Sequence, residues 1–192
     1  MTLQRGEALR LLMLGCGLLA IYALIGQLPL QRSIVSMPTW VPFWPIMTVP
    51  YLLQLGVSWL LLLLVRDPVR RRAVVRATVI SFVICAVGWI AIPTILPRPD
   101  PTGTTGWLLA PYRLLICLDA PTNVMPCGHL LAPVLITAAL LHEHPRWAWW
   151  LIPFQILGAI AIVTTWQHRP VDLALAGGVA LTAGWSCGLM RR

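Results

Sequence analysis

Lysine is absent from this chain of 192 residues, and charge of either sign is scarce: 14 arginines and six acidic residues make up 10% of it. A soluble domain carries roughly 25% charged residues, so a water-facing surface all round is excluded. There is no C-x-x-C pair, and the five cysteines (Cys16, Cys85, Cys117, Cys127, Cys187) are odd in number. Neither a zinc framework nor a disulfide framework is therefore expected. No periodic repeat or low-complexity tract interrupts the sequence, and the first apolar stretch lacks an A-x-A cleavage signal. The chain reads as a single domain with short connections.

What is present is apolar. Hydrophobic residues make up 58% of the chain and its mean hydropathy is +0.80. They form blocks without charge: Leu11–Gln31, Ser33–Val65, Ala77–Pro97, Ala120–His142, Trp147–His168 and Leu173–Met190. Each block supplies the ~17–25 residues that cross a hydrocarbon core of ~30 Å. Strands of a membrane barrel would alternate in polarity instead. The expected fold is therefore an all-α integral membrane bundle of six spans, at about 9–25, 48–65, 74–92, 126–141, 147–165 and 170–189.

Six spans divide the arginines unequally. Arg5, Arg10, Arg66, Arg70, Arg71, Arg72, Arg76, Arg146, Arg191 and Arg192 fall on one side, and Arg32, Arg98, Arg113 and Arg169 on the other. Ten against four predicts both termini in the cytoplasm of a multi-pass protein, with a bacterial inner membrane as the expected location. The net charge of +8 thus reads as a topology anchor near anionic lipid, and no nucleic-acid partner is expected.

Prolines and tryptophans fill in the connections. Pro38, Pro42, Pro45 and Pro50 with Trp40 and Trp44 mark an outer interfacial segment. The longest connection, Leu96–Met125, contains the apolar stretch Trp107–Leu118, too short to span and read as partly buried or re-entrant. Pro126 and Pro170 suit the first turns of the fourth and sixth spans, where a missing N–H costs nothing.

Ionisable residues near membrane interiors are costly, so each is a candidate site. Three clusters share the outer face: Leu96-Pro97-Arg98-Pro99 after the third span, Asn123-Val124-Met125-Pro126-Cys127-Gly128-His129 before the fourth, and Thr165-Trp166-Gln167-His168-Arg169-Pro170-Val171-Asp172 before the sixth. His168 and Asp172 are four apart, so the carboxylate is expected to orient the imidazole as a nucleophile. A second histidine, His129, is placed to protonate a leaving group. Arg98 is suited to gripping phosphate oxygens in bidentate fashion. Such a set describes phosphoryl transfer, which is mainly positioning and charge stabilisation. Arg113 and Arg169 are further candidates for binding the substrate phosphate, Asp119 carries no assigned role at this point, Asn123 reads as ordering its loop, and His142 and His144 beside Glu143 read as solvated residues far from the site.

These residues resemble the type-2 phosphatidic acid phosphatase superfamily, particularly the branch that includes inositol phosphorylceramide synthases. Arg98-Pro99 looks like the family's first motif. Asn123-x-x-Pro126-Cys127-x-His129 looks like the second, with Cys where Ser is usual. Gln167-His168-x-x-x-Asp172, followed by Leu175-Ala176-Gly177, looks like the third. The resemblance implies that His168 forms a phosphohistidine and is oriented by Asp172, and that His129 is the general acid. It implies that Arg98, with Cys127 and Gly128, binds phosphate, and that the partner is a lipid phosphate or diphosphate, with no cofactor. Three positions depart from the pattern. Ala91 stands where many members have Lys, Trp166 or Ile162 where a basic third-motif residue is usual, and Cys127 for Ser. Arg113 and Arg169 lie on the correct side to compensate.

Hydrolysis is the leading expectation. Transfer of a phospho-headgroup to a lipid or sugar hydroxyl uses the same residues, and an inactive lipid-headgroup binder or carrier fits the lost basic residues. A metal site from Cys127, His129, His168 and Asp172 rests on a C-x-H spacing alone, and no metal is expected.

Overall fold

A computed structural model describes residues 5–101 and 106–190. These residues form seven α-helices: α1 (Arg5–Gln27), α2 (Thr48–Leu62), α3 (Pro68–Ala91), α4 (Leu109–Leu118), α5 (Leu131–Glu143), α6 (Ala148–Thr164) and α7 (Pro170–Ser186). The expected arginines Arg191 and Arg192 lie outside the described residues. Three helices are long and apolar enough to cross a bilayer, Gly6–Gln27, Pro45–Leu62 and Pro68–Ala91, and shorter apolar helices accompany them. The fold is all-α and of membrane type. Its outer faces carry large apolar side chains, among them Leu12, Met13 and Leu19 on α1 and Val83 and Val87 on α3, where a water-soluble bundle would place charge.

Helix starts follow local chemistry. Asp67 accepts the Val69 N–H at 2.8 Å with Pro68 at the first helical position of α3, and Pro170 opens α7 in the same way. The fourth apolar block differs from the expectation. Its helix begins with a 3-10 turn at Gly128–Leu130 and becomes α-helical only at Leu131, so Pro126 precedes the helix and Pro133 occupies its first turn. The cause is the backbone before it. Asn123 turns the chain at φ 57, Cys127 is extended, and the Cys127 N–H is spent on the Asp172 carbonyl at 3.2 Å. The short helix α4 is partly buried: Tyr112 and Leu115 are fully buried, Leu114 and Leu118 are exposed, and Tyr112 donates to the Pro99 carbonyl at 3.0 Å.

α3, α5 and α7 pack against one another, and α2 packs on α6. Small residues allow the close approach. Ala77 on α3 and Ala176 and Ala180 on α7 are fully buried, and a Cβ on Gly184 would stand 2.9 Å from Leu135 of α5. Between α2 and α6, Gln54 donates to Gln155 at 2.9 Å, and a Cβ on Gly158 would overlap the Gln54 amide. Gly158→Ala is therefore expected to displace that amide and lower stability by about 1–2 kcal/mol. Thermal unfolding in detergent checks this, and the loss should vanish on a Gln54→Ala background.

The two ends of the bundle are tied differently. At one end the Glu143 carboxylate accepts the N–H groups of Arg66 (2.8 Å) and Asp67 (3.1 Å), and Arg71 pairs with Glu7 at 2.7 Å. His144 stacks on Trp147 there. At the opposite end, β1 (Ser33–Ile34) pairs in parallel with β2 (Thr94–Ile95), and Leu96 N–H reaches the Pro121 carbonyl at 3.0 Å. This stitching draws together the segments that follow α1 and α3 and precede α5.

Candidate functional site

Beneath that stitched end, the second and third sequence clusters meet. His129 Nδ1 lies 3.0 Å from His168 Nε2, with ring centroids 5.1 Å apart. His168 is 1% exposed, and its Nδ1 lies 2.7 Å from the Val124 carbonyl. A carbonyl only accepts, so Nδ1 carries the proton and Nε2 presents a lone pair toward His129. Burial first, and His129 second, push His168 down to about 3, so the ring is neutral near pH 7.

The orienting partner of His168 is therefore a backbone carbonyl. The expected bond to Asp172 is replaced because that carboxylate, fully buried, is spent on Arg169. It accepts the Arg169 backbone N–H at 2.8 Å and its guanidinium at 2.8 and 3.1 Å, closing the first turn of α7 as a capping pair. A four-residue spacing places two side chains on one helix face only where both lie in the helix, and His168 precedes it.

Arg98 is likewise engaged. Its guanidinium pairs with the Asp119 carboxylate at 3.2 Å and donates to the carbonyls of Asp119 and Ala120. Its Nε is buried with no acceptor among the described residues. Cys127 is fully buried at the start of the 3-10 turn that carries His129. Gly128 has a packing reason: a Cβ there would come within 3.0 Å of Trp89, whose Nε1 holds the Pro126 carbonyl at 2.7 Å. Arg113 is on the exposed face of α4. Asn123 donates to the Tyr22 carbonyl at 2.7 Å and so orders its loop against α1.

The residue without an assigned role from sequence is the centre of the charge network. Asp119, 3% exposed, accepts the Tyr22 hydroxyl at 2.6 Å and the Tyr51 hydroxyl at 3.1 Å, and its Oδ2 is 3.8 Å from His129 Nε2. Burial alone would raise its carboxyl; His129 and then Arg98 outweigh that and hold it below the usual range. The rings of Tyr22 and Tyr51 also box His129 edge-on at 5.4 and 5.6 Å. The available signal was an acid between Leu118 and Ala120, in a chain with only six acidic residues. Its partners on α1 and α2 are 97 and 68 residues away, which no local pattern reveals.

One donor set has the composition of a metal site: Cys127, His129 and His168 offer ligand atoms within 4.8 Å of one another. Asp172, committed to Arg169, is not among them. No family model, curated protein or solved structure matches the chain.

Proposed function

We propose that this chain is a six-span membrane phosphatase that hydrolyses a lipid phosphate or diphosphate at its extracytoplasmic face, with both termini in the cytoplasm. The observation that carries the reading is the pair of facing imidazoles, the buried His168 with its Nε2 3.0 Å from Nδ1 of the partly buried His129 and its far nitrogen held on a carbonyl. A neutral imidazole with an oriented lone pair is a nucleophile, and a second ring beside it is an acid or base.

In the proposed reaction the two rings part to admit the phosphoryl group. His168 Nε2 forms a bond to phosphorus as the bond to the leaving oxygen breaks, and that oxygen takes the proton from His129 Nδ1. Water then attacks phosphorus and gives its proton to His129 as the N–P bond breaks. Free phosphate leaves and both rings return to their starting states. Asp172 acts through Arg169 in this reading, by fixing the loop on which His168 stands. The buried Nε of Arg98 is the donor still open to a phosphate oxygen.

The test is phosphate release by detergent-purified protein from a panel of lipid phosphates and diphosphates, with EDTA present. Release by the wild type, reduced about 10²–10⁴-fold in His129→Ala, is the expected result. No release from any substrate by a folded protein would sink the hydrolytic reading.

A second reading is favoured by the Cys127, His129 and His168 grouping: metal-assisted hydrolysis of the same substrates. It predicts loss of activity on chelation and recovery with added metal, with Cys127→Ser as damaging as His129→Ala. The histidine mechanism predicts indifference to EDTA.

A further inference from the structure

We propose that a groove bounded by α1, α2, α3 and α5 holds the part of the substrate's hydrocarbon chain nearest the phosphate, and that Gly15 and Trp59 at its inner end set how much chain it takes. The proposal deepens the phosphatase reading above and rests on it for where the phosphate sits. The groove, about 110 Å³ in volume, begins at Gly128 and His129 and passes Tyr22 on its way to Gly15. That volume is far above the ~10–15 Å³ that admits a single water, so the groove is an opening and not a packing fault. Along α1 it descends from the residue that holds Asp119 toward the end where Glu7 pairs with Arg71.

The walls decide what it holds. Between His129 and the inner end they are apolar, with Leu18 and Leu19 from α1, Leu55 from α2, Phe82 from α3 and Ala132 from α5. Apolar cavities stay dry and accept hydrocarbon. Leu19 lines the groove and is also 62% exposed, so the groove is open beside α1, on the face that meets lipid. A chain can enter there from the bilayer while its phosphate travels to His129. A lipid tail already sits in an apolar medium, so burial in the groove gains little. What the groove adds is position: a chain held along α1 fixes the phosphate against His129, and such orientation counts directly in the rate.

The inner end closes by bulk and by polarity. A Cβ on Gly15 would stand 3.6 Å from the Trp59 ring. Ser58 and Thr78 line the same end, and the Ser58 hydroxyl is buried with no partner among the described residues. Hydrocarbon pressed against that hydroxyl would leave it unpaired, which is costly. From Tyr22 to Gly15 the helix advances roughly 10 Å, about a third of the hydrocarbon core. The groove therefore takes the first stretch of the chain, and the remainder lies in the bilayer beside α1.

The test is phosphate release from butyl, octyl, dodecyl and hexadecyl phosphate by the protein in detergent. For the wild type, kcat/KM is expected to rise from butyl to octyl phosphate and then to level. Gly15→Ala makes only ordinary contact with Trp59 and serves as a folding control. Gly15→Leu carries its added atoms into the groove. It is expected to lower kcat/KM on dodecyl phosphate about tenfold or more, and to change it less than about twofold on butyl phosphate. Trp59→Ala deepens the groove, so its rise should continue to dodecyl phosphate.

An equal fall on butyl and dodecyl phosphate in Gly15→Leu, or no fall on either, overturns the groove and leaves the phosphatase reading standing. Should Gly15→Leu fail to fold, Trp59→Ala decides, and a chain-length profile like the wild type's overturns the groove. Absence of release by the wild type from every substrate overturns the phosphatase reading alone. The groove is then judged on the wild type by light-driven labelling with dodecyl phosphate bearing a mid-chain diazirine. Label near Gly15 or Trp59, displaced by unlabelled dodecyl phosphate, supports it. Label confined to outer side chains such as Val83 and Val87 overturns it.

Discussion

His168→Ala is expected to abolish phosphate release, by roughly 10⁴-fold or more, and to abolish the acid-labile, base-stable label left on the protein by a radioactive substrate. The magnitude follows from the role. A nucleophile that forms a covalent intermediate has no substitute within the site, and removing such a residue alone costs about as much as removing the residues that act with it. His129 cannot take over, because its working nitrogen is the one that faces His168 and its other nitrogen faces Asp119. His168→Ala removes a ring that is 1% exposed and bonded to the Val124 carbonyl, so folding has to be checked beside activity. His168→Gln serves as a control, since its amide keeps a donor near that carbonyl. Both variants should lose the label; a labelled His168→Ala would assign the nucleophile elsewhere.

Much of the scaffold was legible in the sequence because lipid imposes a simple rule. Blocks without charge had to be helices, and Pro170 marked a start that α7 adopts, whereas α3 begins at Pro68, ahead of the expected start at 74. The short α4 was visible in Trp107–Leu118 for the same reason. The start of α5 was not legible. Pro126 has the chemistry of a first turn, but the left-handed Asn123 and the bond from Cys127 N–H to the Asp172 carbonyl hold the chain extended past it. Such a long-range tie leaves no mark on periodicity.

The site divides in the same way. His129 and His168 stood out because ionisable groups in apolar sequence demand a reason, and the fold brings them into contact. Their partners were misjudged. Spacing suggested that Asp172 would serve His168, yet a nearer competitor, the Arg169 backbone and guanidinium, takes both of its oxygens. Arg98 was read as a phosphate clamp because a guanidinium fork suits phosphate oxygens. Its partner Asp119 lies 21 residues on, beyond α4.

Arg98→Ala is expected to be the most destabilising single change near the site, by about 3–5 kcal/mol. The guanidinium and carboxylate side chains are only 6% and 5% exposed. Removing one partner strands the other charge in a poorly solvated place, and it also opens the carbonyls of Asp119 and Ala120. The tyrosine donors on Asp119 soften the loss without replacing a positive charge. Acid should expose the same dependence. The folded carboxyl of Asp119 lies below its unfolded value, so its contribution to stability is complete above about pH 3.9 and is lost as pH falls through the folded value. In Arg98→Ala the folded value rises, and the loss on acidification begins at higher pH. Arg98→Lys keeps a point charge but loses the fork that reaches the carboxylate and two carbonyls together, so it should recover only part of the stability. Arg98→Met combined with Asp119→Leu removes both charges and should regain most of the thermal stability while leaving dodecyl phosphate turnover low. Recovery of turnover along with stability would show that the ion pair serves the fold alone. Stability without turnover would show that the pair serves the chemistry as well as the fold, through the Arg98 Nε that faces no protein acceptor among the described residues or through Asp119 beside His129.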